Sequence, residues 1–207
     1  MPDKDLNPLE QKVYDVSERD NPLNYNQMLG EMAERYKQTP QTLEELMDRI
    51  SFHESKGDPT AIQRLQGGGH GKGRGLFQFE TGEAQGGATA MNRLRNYLGK
   101  GAPDWTKYDS SMGVDASQLT PEQQKMLFLG NLRMGRGSLA GITPENLGES
   151  YWAPHHWAGA DKDRPARLRS FDESMAAYDM GNDAERQAFG PRPSEDVREI
   201  KKFMGDL

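Results

Sequence analysis

The chain has 207 residues, of which 34% are hydrophobic, and its formal net charge is −6. This length allows one domain with a hydrophobic core, while the mean hydropathy of −0.92 predicts polar extensions outside that core. The acidic balance argues against general nucleic-acid binding, the lack of cysteine excludes disulfides, and no apolar run approaches the about 18 residues of a membrane span.

Two short helical patterns precede residue 38. The first contains Leu9 and Val16, the second runs from Leu23 to Tyr36, and the sequence Asp-Asn-Pro at 20–22 separates them. We predict that residues 1–38 form a polar helical N-terminal extension, which either packs on the domain or serves as a docking arm.

The next predicted helix ends beside a carboxylate. Apolar residues at helical spacing predict a helix that begins in the stretch 39–42 and runs to Phe52, with Thr42 approximating the start of a capping box. Gly57 and Pro59 stop this helix just after Glu54. Partial desolvation at a helix end raises the pKa of a carboxyl group above its ordinary value of about 4.3, which suits a proton donor. A solvated surface glutamate without any chemistry is the alternative interpretation.

A glycine-rich stretch follows, with six glycines between Gln63 and Gly75. It does not match a phosphate-binding loop, because Gln66 and Gly73 occupy the positions where that loop needs glycine and a hydroxyl side chain. The stretch predicts a mobile loop or a flexible lip over a binding groove. An apolar segment that contains one amide continues from Gly75 to Phe79.

Helical periodicity continues in the middle of the chain. Residues 89–98 carry an apolar stripe, and Thr120 is the predicted N-cap of a helix that begins with Pro121 and ends at Gly135. Almost no strand pattern is present, so the predicted fold is all-α and predominantly helical.

A change in composition marks the last part of the chain. The sequence becomes highly charged from Asp161, and two further helices are predicted over 171–186 and 194–204. We therefore predict a main domain over 39–160 and a charged helical C-terminal extension over 161–207.

An aromatic-rich piece lies between residues 147 and 159. Its aromatic and imidazole side chains are Tyr151, Trp152, His155, His156 and Trp157. Adjacent histidines suggest a metal site, but the four histidines of the chain have none of the paired spacings of zinc ligands. We therefore predict neither a metal nor another cofactor.

Two motifs, in this order, resemble those of the lytic transglycosylases of the lysozyme superfamily. Those enzymes carry a Glu-Ser pair at a helix end, followed by a Gly-Leu-Met-Gln segment. Here Glu54 and Ser55 match the pair, and residues 75–78 match the segment with phenylalanine in place of methionine. Residues 58–61, Asp-Pro-Thr-Ala, are similar to the Asn-Pro-x-Ala of the family. The resemblance covers roughly residues 40–160 and implies a lysozyme-like domain.

The third motif of the family, Ala-Tyr-Asn-x-Gly, has two candidates in this chain. Residues 156–159, His-Trp-Ala-Gly, stand at the expected position but lack the tyrosine and the asparagine. Residues 177–181, Ala-Tyr-Asp-Met-Gly, match better by letter but come late in the chain. Position favours the first candidate, and the family's contact between tyrosine and glutamate has no certain counterpart here.

The resemblance implies a peptidoglycan substrate and a reaction that needs one carboxyl group. Glu54 would protonate the oxygen of the MurNAc-β-1,4-GlcNAc bond. As a carboxylate it would then take the proton of the C6 hydroxyl, which attacks C1 to form 1,6-anhydroMurNAc. The implied substrate-binding residues are Ser55, Phe77, Gln78, Tyr151, His156 and Trp157.

Three other functions stay open at this point. A hydrolytic lysozyme would need a second carboxylate positioned on water, and Glu80, Glu83 and Asp109 are available. The segments around Glu54 and Gln78 also resemble family-19 chitinases, although the short gap between them favours the transglycosylase. A non-catalytic virion or secretion component with a degenerate lysozyme fold is the alternative from a different class.

The sequence also carries an expectation about delivery. No signal peptide opens the chain. We therefore expect a larger assembly to carry the protein to the periplasm or cell wall of a bacterial host, with a phage virion as first choice and a conjugation or secretion apparatus as second. The predicted partners are peptidoglycan strands and proteins of that assembly, with neither nucleic acid nor a membrane span.

Overall fold

A computed structural model describes most of the chain between residues 23 and 189. The described ranges are 23–65, 67–82, 86–109, 111–134, 138–153 and 164–189, with side chains described only for 165–181 in the last of them. The helical patterns predicted before residue 22 and after residue 190 lie outside these ranges.

The described residues are predominantly helical, which confirms the coarse prediction of a helical fold. The helices are α1 (Tyr25–Tyr36), α2 (Pro40–Ser55), α3 (Gly86–Leu98), α4 (Pro121–Met134) and α5 (Arg164–Phe189). Short 3-10 turns lie at Gly99–Gly101, Asp104–Thr106 and Ala116–Gln118, and a π-helical turn at Gly148–Trp152.

Helix α2 starts within the predicted stretch 39–42, but its cap differs from the predicted one. Thr39, not Thr42, is the N-cap: the Thr39 hydroxyl accepts a hydrogen bond from the Thr42 amide at 3.1 Å. The correction has a simple cause, because Pro40 fits the first helical position, where its missing N–H is not needed. The helix ends where predicted, since Lys56 adopts φ +59° and its amide donates to the Phe52 carbonyl. Glu54 therefore lies in the last turn of α2.

The glycine-rich stretch forms part of a small antiparallel sheet, so the prediction of an irregular loop is wrong there. Strand β1 (Ile62–Arg64) pairs with β2 (His70–Arg74), which pairs with β3 (Phe79–Glu80). Gly68 and Gly69 have φ angles of +86° and +82° in the connection between β1 and β2, a conformation that glycine adopts without steric cost.

One hydrophobic cluster joins all the helices and crosses the predicted domain boundaries. Met28 and Met32 of α1 are fully buried in it, and so is Phe171 of α5 to within 1% exposure. Described residues of both predicted extensions therefore belong to the same cluster as the predicted main domain. Among the described residues, no helix combines the length and apolar composition that crossing a membrane requires.

Helices α3 and α4 pack closely against each other in the core. A Cβ atom added to Gly130 of α4 would lie 2.7 Å from the Cα atom of Leu94 on α3. Backbone on both sides of this contact prevents relief by a simple rotamer change. Gly130 therefore sets how near α4 approaches α3, and α4 carries side chains of the candidate site.

We predict that Gly130→Ala lowers the free energy of unfolding by about 1–2 kcal/mol, because the overpacking cost exceeds the gain in helix propensity. Denaturant unfolding followed by circular dichroism measures the change. The matched control is Gly30→Ala in α1, where the added Cβ meets nothing within 4 Å and should stabilise by about 0.5–1 kcal/mol. Equal effects of the two substitutions would contradict the close α3–α4 contact.

Candidate active site

The carboxyl group of Glu54 accepts a hydrogen bond at the end of α2. The indole Nε1 of Trp152 donates to Glu54 Oε1 at 2.7 Å, across 98 residues of sequence. Trp152 is 6% exposed, while Glu54 is half-buried. A donor on one carboxyl oxygen restricts the rotamer of the Glu54 side chain.

Trp152 is held in place by an aromatic cluster that includes α5. Its ring lies 4.6 Å from the ring of His53 and 5.1 Å from that of Phe171, measured between centroids. His53 Nδ1 also lies 3.1 Å from the Ser174 hydroxyl on α5. Two consecutive residues of α2 therefore contact Trp152 in different ways. His53 packs against the indole ring, and Glu54 accepts the hydrogen bond of the indole N–H.

Ser55 connects α2 to the Gly75–Gln78 turn. Its hydroxyl lies 2.9 Å from the Ser51 carbonyl and 3.0 Å from the Leu76 carbonyl, and the single hydroxyl hydrogen is shared between these acceptors. The serine that the sequence predicts as a substrate contact therefore makes backbone contacts that fix the turn beside Glu54.

Gln124 of α4 fixes the same turn from the other side. This side chain is fully buried. Its Oε1 accepts from the Leu76 amide at 2.6 Å, and its Nε2 donates to the carbonyls of Pro59 and Leu119 at 2.9 Å each. Gly75 lies against this amide at φ +71°, where any Cβ would collide with the Gln124 side chain. The close approach explains why glycine occupies the first position of the turn.

Phe77 and Tyr151 belong to the wall of the site. Phe77 is 9% exposed and stacks on Phe128 of α4 at 4.4 Å, and Tyr151 contacts Phe128 edge-on at 6.4 Å. Burial raises the pKa of Tyr151, and electrostatic interactions with Tyr36 and Glu54 raise this pKa further. Tyr151 therefore keeps its proton over the whole physiological range and acts as a neutral group.

Gln78 contacts its own turn. It has φ +48°, and its Nε2 donates to the Gly75 carbonyl at 2.8 Å. A non-glycine residue in this conformation is uncommon, and here the side-chain hydrogen bond supports it. The amide nitrogen that the sequence predicts as a sugar ligand is thus bound within the turn.

The structure describes only one of the two candidates for the third motif of the family. His156 and Trp157, and with them residues 156–159, lie outside the described residues. Residues 177–181 lie on α5, where Tyr178 packs edge-on against Phe52 at 5.5 Å. Asp179 pairs with Arg49 at 2.7 Å. The candidate motif at residues 177–181 therefore contacts α2 at residues that precede Glu54.

Two of the three carboxylates considered for water activation are described. Glu80 is exposed on β3, and Asp109 is exposed and accepts hydrogen bonds from the amide and hydroxyl of Ser111 at 2.8 and 2.7 Å. These hydrogen bonds lower the pKa of Asp109. Glu83 lies outside the described ranges. Within those ranges, no group of three or more potential ligands is arranged to hold a metal ion.

Comparisons with known proteins add no assignment. The chain matches no protein-family model, and neither a curated protein nor a solved structure is significantly similar to it.

Two central residues were missed by the sequence-based site prediction. Trp152 stands in the aromatic-rich piece, but its hydrogen bond to Glu54 has no local signature. Gln124 did carry a signal: it stands three residues before Leu127 and four before Phe128, on the buried face of α4. A polar side chain at a buried helical position predicts hydrogen bonds to groups outside the helix.

We predict that Gln124→Leu lowers the free energy of unfolding by roughly 3 kcal/mol, because a buried amide and two carbonyls lose their partner. Thermal and denaturant unfolding measure this loss. The control Gln118→Leu alters an exposed side chain and should change stability by less than about 0.5 kcal/mol. If Gln124→Leu were as stable as the control, the hydrogen bonds of Gln124 would not hold the turn.

Proposed function

We propose that this chain is a peptidoglycan lytic transglycosylase that cleaves the MurNAc-β-1,4-GlcNAc bond. The observation that carries the proposal is the hydrogen bond from Trp152 to Glu54, which fixes a half-buried carboxyl group at the helix end. The resemblance of the Glu-Ser pair and of the Gly-Leu-Phe-Gln segment supports it, because Ser55 bonds directly to that segment.

In the proposed reaction, Glu54 acts first as an acid and then as a base. Its proton passes to the glycosidic oxygen as the bond to C1 of MurNAc breaks. The resulting carboxylate removes the proton of the MurNAc C6 hydroxyl, whose oxygen bonds to C1. The products are a 1,6-anhydroMurNAc end and a free GlcNAc hydroxyl, and no water is consumed. Trp152 would hold the carboxyl group of Glu54 in one orientation during both proton transfers.

The two described carboxylates that were considered for water activation support this reaction over hydrolysis. A hydrolytic enzyme needs a second carboxylate at a defined distance from the acid. Glu80 is exposed and Asp109 is occupied by Ser111. A loosely held or occupied base loses much of its effect on water, because base catalysis depends on hydrogen-bond reach.

The proposal extends to where the protein acts. Its partners would be glycan strands and the proteins of a phage virion or a similar assembly that carries it to the bacterial cell wall. The resemblance also implies that His156 and Trp157 contribute to glycan binding. Co-purification of the chain with particle proteins from its natural source tests this part of the proposal.

We predict that digestion of purified sacculi releases muropeptides that end in 1,6-anhydroMurNAc. Glu54→Gln removes the proton donor and should lower the rate by on the order of 10² or more, whereas Glu80→Gln, the matched amide substitution, should cost little. Mass spectrometry separates the two types of end, because the anhydro product is lighter by one water.

Each other outcome selects a different function. Mainly reducing MurNAc ends, or a Glu80→Gln variant as inactive as Glu54→Gln, would make the protein a hydrolytic lysozyme. Cleavage of chitin in preference to sacculi would favour the chitinase-like alternative. Binding to sacculi without any cleavage by the wild type would identify a non-catalytic component.

We predict that Trp152→Phe lowers the cleavage rate by about tenfold to a hundredfold, because it removes one hydrogen bond to a carboxyl group and keeps the aromatic packing. The rate on sacculi and the unfolding free energy are measured together. Trp105→Phe is the control, since Trp105 is packed against the core at the 3-10 turn Asp104–Thr106. Equal rates for the two variants would remove Trp152 from the catalytic arrangement.

A further inference from the structure

Two glutamine side chains lie over strand β2, on the face that its glycines leave open. A Cβ atom added to Gly73 would lie 2.6 Å from Gln78 Oε1 and 3.2 Å from Gln63 Cβ. A Cβ atom added to Gly71 would collide with Gln63 Oε1. We call Gln63 and Gln78 the amide pair. The two glycines of β2 therefore make room for both side chains, and Gly73 is buried beneath them.

Hydrogen bonds to the backbone determine which atom of each side-chain amide is the oxygen and which is the nitrogen. The Gly73 amide donates to Gln63 Oε1 at 3.3 Å, so the donor Nε2 of Gln63 remains. Gln78 Nε2 donates to the Gly75 carbonyl at 2.8 Å, so the acceptor Oε1 of Gln78 remains. Within the described part of the chain, these two remaining atoms have no hydrogen-bond partner. The amide pair thus offers a donor from one side chain and an acceptor from the other.

The donor and the acceptor of the amide pair are separated along β2 and come from its two opposite edges. Gln63 belongs to β1 and Gln78 directly precedes β3, and these strands pair with opposite edges of β2. The amide end of Gln63 lies against Gly71 and Gln78 Oε1 against Gly73, two residues further along, which is about 6–7 Å of strand.

This separation selects the kind of group that can bridge the amide pair. Two hydrogen bonds that meet at one hydroxyl oxygen span only about 5 Å, since each is about 2.8 Å long and they meet at an angle. A trans secondary amide is planar, and its C=O and N–H point in opposite directions. It therefore reaches a donor on one side and an acceptor on the other.

Glu80 restricts the charge of a ligand at the amide pair. It is the register partner of Gly73 on β3, and cross-strand partners lie on the same face of a sheet. Its exposed carboxylate disfavours an acidic group there. An ammonium group has no acceptor for Gln63 Nε2. A neutral group that both donates and accepts is left.

We propose that the amide pair binds a secondary amide group of the substrate, with Gln63 Nε2 donating to its carbonyl and Gln78 Oε1 accepting from its N–H. Gln78 stands on the turn that Ser55 bonds beside Glu54, so the inference rests on the proposed function and adds a specificity to the same site. A peptidoglycan strand carries secondary amides in the acetamido groups of its sugars and in its stem peptides. Gln63 stands outside the motifs at 54–55, 58–61 and 75–78 and is a specificity-determining residue of this chain.

The test measures binding to the full chain by titration calorimetry, in the Glu54→Gln variant so that cleavage does not interfere. Three neutral probes are compared: tetra-N-acetylchitotetraose, a stem peptide with acetylated amines and amidated acids, and cellotetraose, which has hydroxyl groups in place of acetamido groups. We expect saturable binding of the chitotetraose or of the peptide, and the probe that binds identifies the source of the amide. Cellotetraose should bind at least about tenfold more weakly, because it has no amide.

Two additional substitutions test Gln63. Gln63→Glu keeps the oxygen that accepts from the Gly73 amide but loses the donor, and should weaken binding of the amide probe about tenfold. Gly71→Ala should do the same, because its methyl group displaces the flexible end of Gln63. Gln41→Glu makes the matched change at an exposed position of α2 and should leave the affinity unchanged.

The outcomes separate this proposal from its alternatives and from the proposed function. Equal binding of cellotetraose would replace the amide site with a hydroxyl site. Absence of binding by both amide probes, unchanged affinity in Gln63→Glu or Gly71→Ala, or equal weakening by Gln41→Glu would overturn the proposal. Cleavage of sacculi by the wild type together with failed titrations would refute only the amide site. Binding of an amide probe through Gln63 without any cleavage by the wild type would refute only the catalytic function.

Discussion

The buried amide of Gln124 is the interaction on which the arrangement of the candidate site depends. One side chain on α4 binds the Leu76 amide and the carbonyls of Pro59 and Leu119, so three separate loop segments meet at a single point. Each of these backbone groups would be costly to leave unpaired inside the protein. The Leu76 carbonyl in turn accepts from Ser55, and the position of the helix end is thereby coupled to α4.

A second, mainly apolar set of contacts reaches Glu54, the residue of α2 that precedes Ser55. Trp152 binds Glu54 through its indole N–H, while its ring packs against His53 and Phe171. Hydrogen bonds therefore hold Ser55, the residue after Glu54. Aromatic packing holds Trp152, which donates the hydrogen bond to Glu54. The two sets come from different parts of the chain, and α5 takes part in the second. Phe171 belongs to α5, so this C-terminal helix helps to hold Trp152 beside Glu54.

The sequence predicted what local patterns determine. Helical spacing placed Glu54 in the last turn of α2, and the N-cap at Thr120 was also located correctly, as its hydroxyl accepts from the Gln123 amide at 3.2 Å. The sheet over residues 62–80 was missed because glycine has little strand propensity and β1 is exposed on both faces. The bond between Trp152 and Glu54 was beyond prediction, since it depends on tertiary packing between residues far apart in sequence.

The π-helical turn Gly148–Trp152 explains how two adjacent aromatic residues pack against two different helices. Tyr151 packs towards Phe128 of α4, and Trp152 packs towards Phe171 of α5. Turns of this type are rare because their hydrogen bonds are less favourable than those of an α-helix, and they occur preferentially at functional sites. Gly148 opens the turn directly under Phe171, where a Cβ would lie 2.9 Å from the ring. The close approach brings α5 onto the turn, and the unusual backbone directs the indole N–H to the carboxyl group; packing and backbone geometry therefore determine together which oxygen of Glu54 accepts the hydrogen bond of Trp152.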